Sequence, residues 1–155
     1  MDLRKYLQHN HNKLTWKQRI NIIVNIIKAV LCLHQENSIH RDLHSGNILY
    51  SEYNEQWRIS DFGFCGPDYK PLESIYGNLP YIVPEVINGK GYTFASDIYS
   101  IGMLMCEISS RQPPFAYFDH DYDLVMKIMN GMRPQIIQRT PTEYKNLMYT
   151  IKCKT

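Results

Sequence analysis

Cysteine is scarce in this 155-residue chain, and its four copies are dispersed. Cys32, Cys65, Cys106 and Cys153 show no C-x-x-C spacing, which argues against zinc despite six histidines. Reduced thiols in a cytoplasmic protein are the simplest reading. Cys32 and Cys106 fall in apolar helical stretches and read as small core residues. Long apolar runs are lacking as well. The greasiest stretch is broken by Asn25 and Lys28, so neither a transmembrane span nor a signal peptide is expected. No strong field of one sign exists either: the formal net charge is +2 and the basic residues are scattered. Such a surface gives nucleic acid or an anionic membrane nothing to seek. Repeats and low-complexity tracts are absent. What remains has the size of one domain and is long enough to bury a real core.

The chain does carry a dense local signature. His40-Arg41-Asp42-Leu43-His44-Ser45-Gly46-Asn47 reads H-R-D-L-x-x-x-N, and Asp61-Phe62-Gly63 follows it. Between them, Ile48-Leu49-Tyr50 and Trp57-Arg58-Ile59-Ser60 are β-compatible runs separated by the polar stretch 51–56. That pattern predicts an antiparallel hairpin. Asn47 precedes the first strand and Asp61 follows the second. Closing the hairpin brings both to one open end, on strands about 5 Å apart. An amide oxygen and a carboxylate sharing a small space suit Mg²⁺, which takes oxygen ligands and shares them with phosphates and water. Asp42 lies in the same loop as Asn47, where it can orient an incoming hydroxyl and accept its proton. Each residue alone would read as an ordinary turn former. Their joint occurrence with His40, Arg41, Phe62 and Gly63 points to phosphoryl transfer.

On these motifs the chain resembles the C-terminal lobe of eukaryotic protein kinases, from Asp2 to about Leu147. Gly77 to Glu85 (G-N-L-P-Y-I-V-P-E) is similar to the family's G-T-x-x-Y-x-A-P-E. Ser96 to Gly102 resembles the D-x-[WY]-S-x-G start of a buried central helix, and Pro113-Pro114-Phe115 and Gly131-Met132-Arg133-Pro134 match two further landmarks. The resemblance implies a mainly α fold with a small β-hairpin, ATP and Mg²⁺ as cofactors, and a protein substrate. It implies Asp42, Asn47 and Asp61 as catalytic residues, with Asn47 and Asp61 on the metal and Leu49 as the floor under the adenine. His44 stands where the family usually carries a Lys that touches the γ-phosphate. His40 would stack on Phe62 of Asp61-Phe62-Gly63. Asp97 would accept from backbone N–H groups around His40 and Arg41, and Glu85 would pair with an Arg from a later segment. Asn78 replaces a Thr that hydrogen-bonds the catalytic Asp.

Residues 1–155 contain no Gly-rich nucleotide loop and no V-A-I-K lysine, and 149–155 do not continue the family pattern. The expectation is a partial kinase domain over 1–155, its N-terminal lobe absent and its last helices incomplete, inactive alone. A non-catalytic kinase-like module that binds partners through its helical face is the alternative; a fragment with no function of its own is a third. Leu79-Pro80-Tyr81 resembles Ser/Thr-type docking loops, and His44-Ser45-Gly46 departs from the A-A-R or R-A-A of tyrosine kinases, with the tyrosine-kinase-like Ser/Thr group the best match.

Helical patterning fills in the frame. Thr15 and Gln18 form a capping box ahead of a helix reaching His34, with Ile20, Ile23, Val24, Ile27, Leu31 and His34 as its core face. A second helix, beginning within 93–97, is apolar nearly all round and so buried, with Asp97 its exception. Leu124, Val125, Ile128 and Met129 form a stripe ended by Gly131. Thr140-Pro141 opens a last helix. In the family an Arg at position 41 binds a phosphate on the activation segment; Ser74, Tyr76 and Tyr69 are the candidate acceptors.

Overall fold

Local signals set most of the helix ends. Asp2 caps α1 (Leu3–His9) by accepting from the Lys5 N–H at 2.9 Å. Thr15 and Gln18 form the reciprocal capping box that starts α2 (Trp16–Gln35). The hairpin follows, with β1 (Ile48–Ser51) antiparallel to β2 (Gln56–Ile59) and Ile48 opposite Ile59. Pro84 begins the short α3 (Pro84–Ile87), a position where its missing N–H costs nothing. The Thr93 N–H donates to Ser96 Oγ at 2.9 Å at the start of α4 (Phe94–Ser110). Asp121 caps α5 (Tyr122–Met129), and α6 (Thr142–Lys152) completes the order. The computed structural model describes residues 1–10, 13–67 and 77–152. Within them the fold is mainly α with one small hairpin.

The axis is α4. Every residue from 99 to 109 is buried, and both α2 and α6 pack against this helix. Met103, Leu104, Met105 and Ile108 are fully enclosed, and each such side chain is worth about 1.5–3 kcal/mol of burial. The hairpin rests on α2, and Trp57 of β2 meets Tyr6 of α1 edge-on at 4.9 Å. The stretch 40–47 therefore sits between a packed helical block and the open end of the hairpin.

Three expectations are corrected. The buried face of α2 is Arg19, Ile22, Ile23, Ile26 and Val30, while Ile20, Val24 and Leu31 are exposed. Apolar residues occupy two adjoining stripes of this helix, and a 3.6-residue period fits either; the rest of the core covers only one. Cys32 falls on the uncovered side and is exposed, whereas Cys106 is buried. On α5, Leu124 and Ile128 are buried but Met129 is exposed. Among the described residues no helix is long and apolar enough to cross a membrane.

Candidate active site

Two non-glycine residues flank the site with left-handed backbone: Arg41 at φ 72° and Asp61 at φ 61°. Such conformations cost on the order of 1–3 kcal/mol each and persist only where the surroundings fix them. Asp97, 1% exposed on α4, fixes the first. Its Oδ2 accepts the His40 N–H at 2.8 Å and its Oδ1 accepts the Arg41 N–H at 3.0 Å. His34 of α2 adds a third donor, Nε2 to Oδ2 at 2.8 Å. A carboxylate this deep is tolerable only with such a set of donors.

His40 ties the loop to the hairpin. Its Nδ1 accepts the Asp42 N–H at 3.3 Å, so Nε2 carries the proton and donates to the Ser60 carbonyl at 3.0 Å. The ring meets Phe62 at 5.4 Å and 60°. Burial pushes the imidazole pKa down; the Ser60 carbonyl and the carboxylates of Asp97, Asp42 and Asp61 oppose that shift in part.

Asn47 closes the loop and opens the hairpin. Its Nδ2 donates to the Asp42 carbonyl at 3.0 Å and to Asp42 Oδ2 at 3.2 Å. Its own carbonyl accepts the Ser60 N–H at 2.9 Å, one rung beyond the Ile48–Ile59 pair. Asp61 is the next residue and is exposed, its Oδ1 accepting the Gly63 N–H at 3.4 Å. Asp42 is partly buried. Burial would raise its carboxyl, but His44, His40 and Asn47 outweigh that and hold its pKa below the ordinary value. Among the described residues, Asp42 Oδ1 is buried and accepts from no group. A β-carbon at Gly77, φ +115°, would stand 3.0 Å from it. Asn78 does not supply the hydrogen bond expected of its position: no side-chain bond from it reaches Asp42 Oδ1.

With both Asn47 amide hydrogens directed at Asp42, the amide oxygen is left to accept. The Asn47 amide oxygen and the exposed Asp61 carboxylate, at neighbouring strand ends of the hairpin, are then the oxygen donors that a cation could use. Among the described residues no cluster of three or more His, Cys, Asp or Glu side chains could hold a metal by itself. Oxygen donors in such small number fit Mg²⁺, which keeps waters and takes the rest of its ligands from phosphates.

The other predicted residues fall as follows. His44 turns inward, with Nδ1 accepting the Gly46 N–H at 3.1 Å and Nε2 at 3.6 Å from Asp42 Oδ2. Leu49 is 40% exposed on β1, opposite Arg58. Arg41 is buried and donates Nη2 to the Pro67 carbonyl at 2.6 Å. Glu85 lies in α3 with Oε2 buried and unpartnered among the described residues. Ser74, Tyr76 and Tyr69 lie outside the described residues, as does Cys153.

Sequence reasoning missed a second polar cluster beneath the loop. Ser45 Oγ donates to Glu107 Oε1 at 2.9 Å, the Tyr81 hydroxyl donates to Glu107 Oε2, and Arg4 Nε stands 3.5 Å from Glu107 Oε1. Burial, and then Glu107, push the Tyr81 pKa up. The signal was available: Glu107 is a carboxylate in an otherwise apolar stretch of α4, the same anomaly that singled out Asp97. His34 carried no such mark.

Comparison with known proteins accords with this geometry. The chain is 33% identical over 139 residues to a probable serine/threonine-protein kinase of Dictyostelium discoideum, covering 87% of this chain and 21% of that one. It is 36% identical over 134 residues to the probable serine/threonine-protein kinase kinX of the same organism, 84% and 12% of the two chains. It is 29% identical over 163 aligned positions to the dual specificity protein kinase zakA, also from Dictyostelium discoideum, 95% and 21%. The chain spans about a fifth or less of the length of the curated relatives it matches. The model of the protein kinase domain family matches residues 1–153, and on that match the chain belongs to the protein kinase family.

Proposed function

We propose that these residues form the catalytic half of an ATP- and Mg²⁺-dependent kinase that phosphorylates Ser or Thr hydroxyls of a protein substrate. One observation carries the reading: Asn47 directs both amide hydrogens at Asp42 and keeps its oxygen to accept, at the hairpin end where Asp61 stands exposed. Asp61 and the Asn47 oxygen would hold Mg²⁺, which when bound neutralises charge on the ATP phosphates. The remaining chemistry falls to this chain's own groups. Asp42, with its pKa held below the usual carboxylate value, is ionised at neutral pH and can take the proton of an incoming hydroxyl. The phosphoryl group passes to that oxygen and ADP leaves. Asp97, His40 and Asn47 keep the loop in register while this happens. Leu49 offers an apolar floor for the adenine.

The Ser/Thr assignment rests on the 79–81 loop pattern, on the departure of 44–46 from the tyrosine-kinase pattern, and on relatives named as serine/threonine kinases. The tyrosine-kinase-like group is the subgroup those patterns favour. On this reading the isolated 155 residues, which contain no Gly-rich loop and no V-A-I-K lysine, transfer phosphate poorly by themselves. The test is transfer from γ-labelled ATP to a Ser/Thr-containing protein by the full-length gene product. Transfer that needs Mg²⁺ and vanishes in Asp42→Asn supports the proposal. Absence of transfer, or transfer indifferent to Asp42, overturns it.

A further inference from the structure

Gly46 is not kept free of a side chain by its backbone, whose φ lies outside the left-handed region. Its neighbour keeps it so. A β-carbon at position 46 would stand 2.8 Å from His44 Cε1 and 3.0 Å from His44 Nδ1, the first closer than real contacts allow and the second tighter than nearly all of them. The imidazole has folded back over its own loop. On one edge Nδ1 accepts the Gly46 N–H at 3.1 Å. On the other, Nε2 faces Asp42 Oδ2 at 3.6 Å, longer than a direct hydrogen bond but within reach of a small tightening. The Tyr81 ring flanks it at 6.1 Å between centroids. Because Nδ1 accepts, the neutral ring carries its proton on Nε2, the edge toward Asp42.

We propose that His44 and Gly46 are a matched pair that orients the Asp42 carboxylate, the bare position at 46 admitting the imidazole and the Gly46 N–H fixing its tautomer so that Nε2–H points at Asp42 Oδ2. The inference rests on the phosphotransfer reading, in which Asp42 is the base. Oδ2 is then addressed by two donors, Asn47 Nδ2 at 3.2 Å and His44 Nε2 at 3.6 Å, while Oδ1 has none among the described residues. Two donors on one oxygen set the plane of the carboxylate, and a general base works only when its lone pair is aimed at the proton it takes. His44 is thus a positioning residue acting through Asp42. It does not reach outward as a phosphate-binding cation.

The test is steady-state kinetics of the full-length protein with Mg-ATP and a Ser-containing peptide. His44→Ala should lower kcat by about ten- to a hundredfold while the KM for ATP stays within about twofold. Gly46→Ala should lose kcat similarly. The double variant should be no worse than the poorer single, because the methyl added at position 46 then has no imidazole to displace. His44→Gln, whose terminal amide N–H can replace Nε2–H, should recover part of the loss. His44→Asn, which reproduces only the Nδ1 acceptor, should not. Additive losses, or a His44→Ala variant with raised KM and intact kcat, overturn the proposal. A wild-type protein without any transfer would refute the phosphotransfer reading instead. In that case ¹⁵N imidazole spectra decide the pairing. An Nε2–H tautomer that Gly46→Ala disturbs supports it, and a His44 ring indifferent to Gly46→Ala overturns it.

Discussion

The hydroxyl of Ser45 donates to Oε1 of Glu107 across 2.9 Å, joining the 40–47 loop to the far half of α4. Asp97, on the same helix, holds the loop at His40 and Arg41. The two carboxylates are separated by about 15 Å along the helix axis at 1.5 Å per residue. One rigid buried helix therefore grips the loop at both ends, and Asp42 lies between the grips.

Glu107 should be costly to remove and cheaper to neutralise. It is 1% exposed and serves Ser45, Tyr81 and Arg4 together. Glu107→Leu leaves the Arg4 charge and two hydroxyls short of an acceptor, and should destabilise the fold by about 3 kcal/mol or more. Glu107→Gln keeps one acceptor oxygen and should cost clearly less. Urea midpoints at constant m-value measure both. Equal losses would mean that packing, not hydrogen bonding, is what Glu107 contributes.

Asp97 should behave more sharply still. Asp97→Ala strips acceptors from two buried N–H groups and from His34. Each unsatisfied buried donor costs about 1–3 kcal/mol. Arg41 also loses what holds its left-handed backbone at φ 72°. The expected outcome is loss of cooperative unfolding in thermal melts, with Asp97→Asn intermediate because one amide oxygen can still accept. A fully stable Asp97→Ala variant would remove the basis for calling the loop anchored.

Much of this scaffold was legible in the residues themselves. Asp97 stood out as a carboxylate in an apolar helix, the hairpin followed from two β-compatible runs, and Thr15 with Gln18 marked a helix start. The α2 face was not legible, because Ile20, Val24 and Leu31 mimic the periodicity of the true stripe and only tertiary packing chooses between them. Ser45 and Tyr81 were hidden for another reason. Their partner Glu107 is distant in sequence, and a hydroxyl in a loop or a tyrosine in a turn gives no local sign of a buried partner. The inward turn of His44 depends on the absent side chain at 46, a relation that neither residue shows alone.

Acid should weaken the fold through His40. Burial lowers its folded pKa below the ordinary 6.5. The unfolded chain therefore takes up the proton first, and stability present above about pH 6.5 declines as pH falls toward the depressed folded value. The slope from one such group is at most about 1.4 kcal/mol per pH unit. Urea unfolding at pH 7.5, 6.5 and 5.5 should show this decline. His40→Asn, though less stable throughout, should show a shallower one. Parallel slopes in the two proteins would assign the acid sensitivity to other groups.

Asp61 offers the cleanest separation of chemistry from folding. It is exposed, and its carboxylate holds the Gly63 N–H weakly, at 3.4 Å. Its backbone is left-handed, a conformation that Asn adopts readily and Ala does not. Asp61→Asn therefore keeps the local geometry while removing the charge that would face Mg²⁺. Stability should stay within about 0.5 kcal/mol of wild type, and phosphate transfer should fall about a hundredfold or more. Because the two readouts diverge, a folding defect cannot imitate the result. A partner-binding module without chemistry would show no transfer to lose, and a kinase whose cation sits elsewhere would keep its rate. A metal-bearing carboxylate at position 61 instead predicts an active wild type that Asp61→Asn turns into a stable, silent protein.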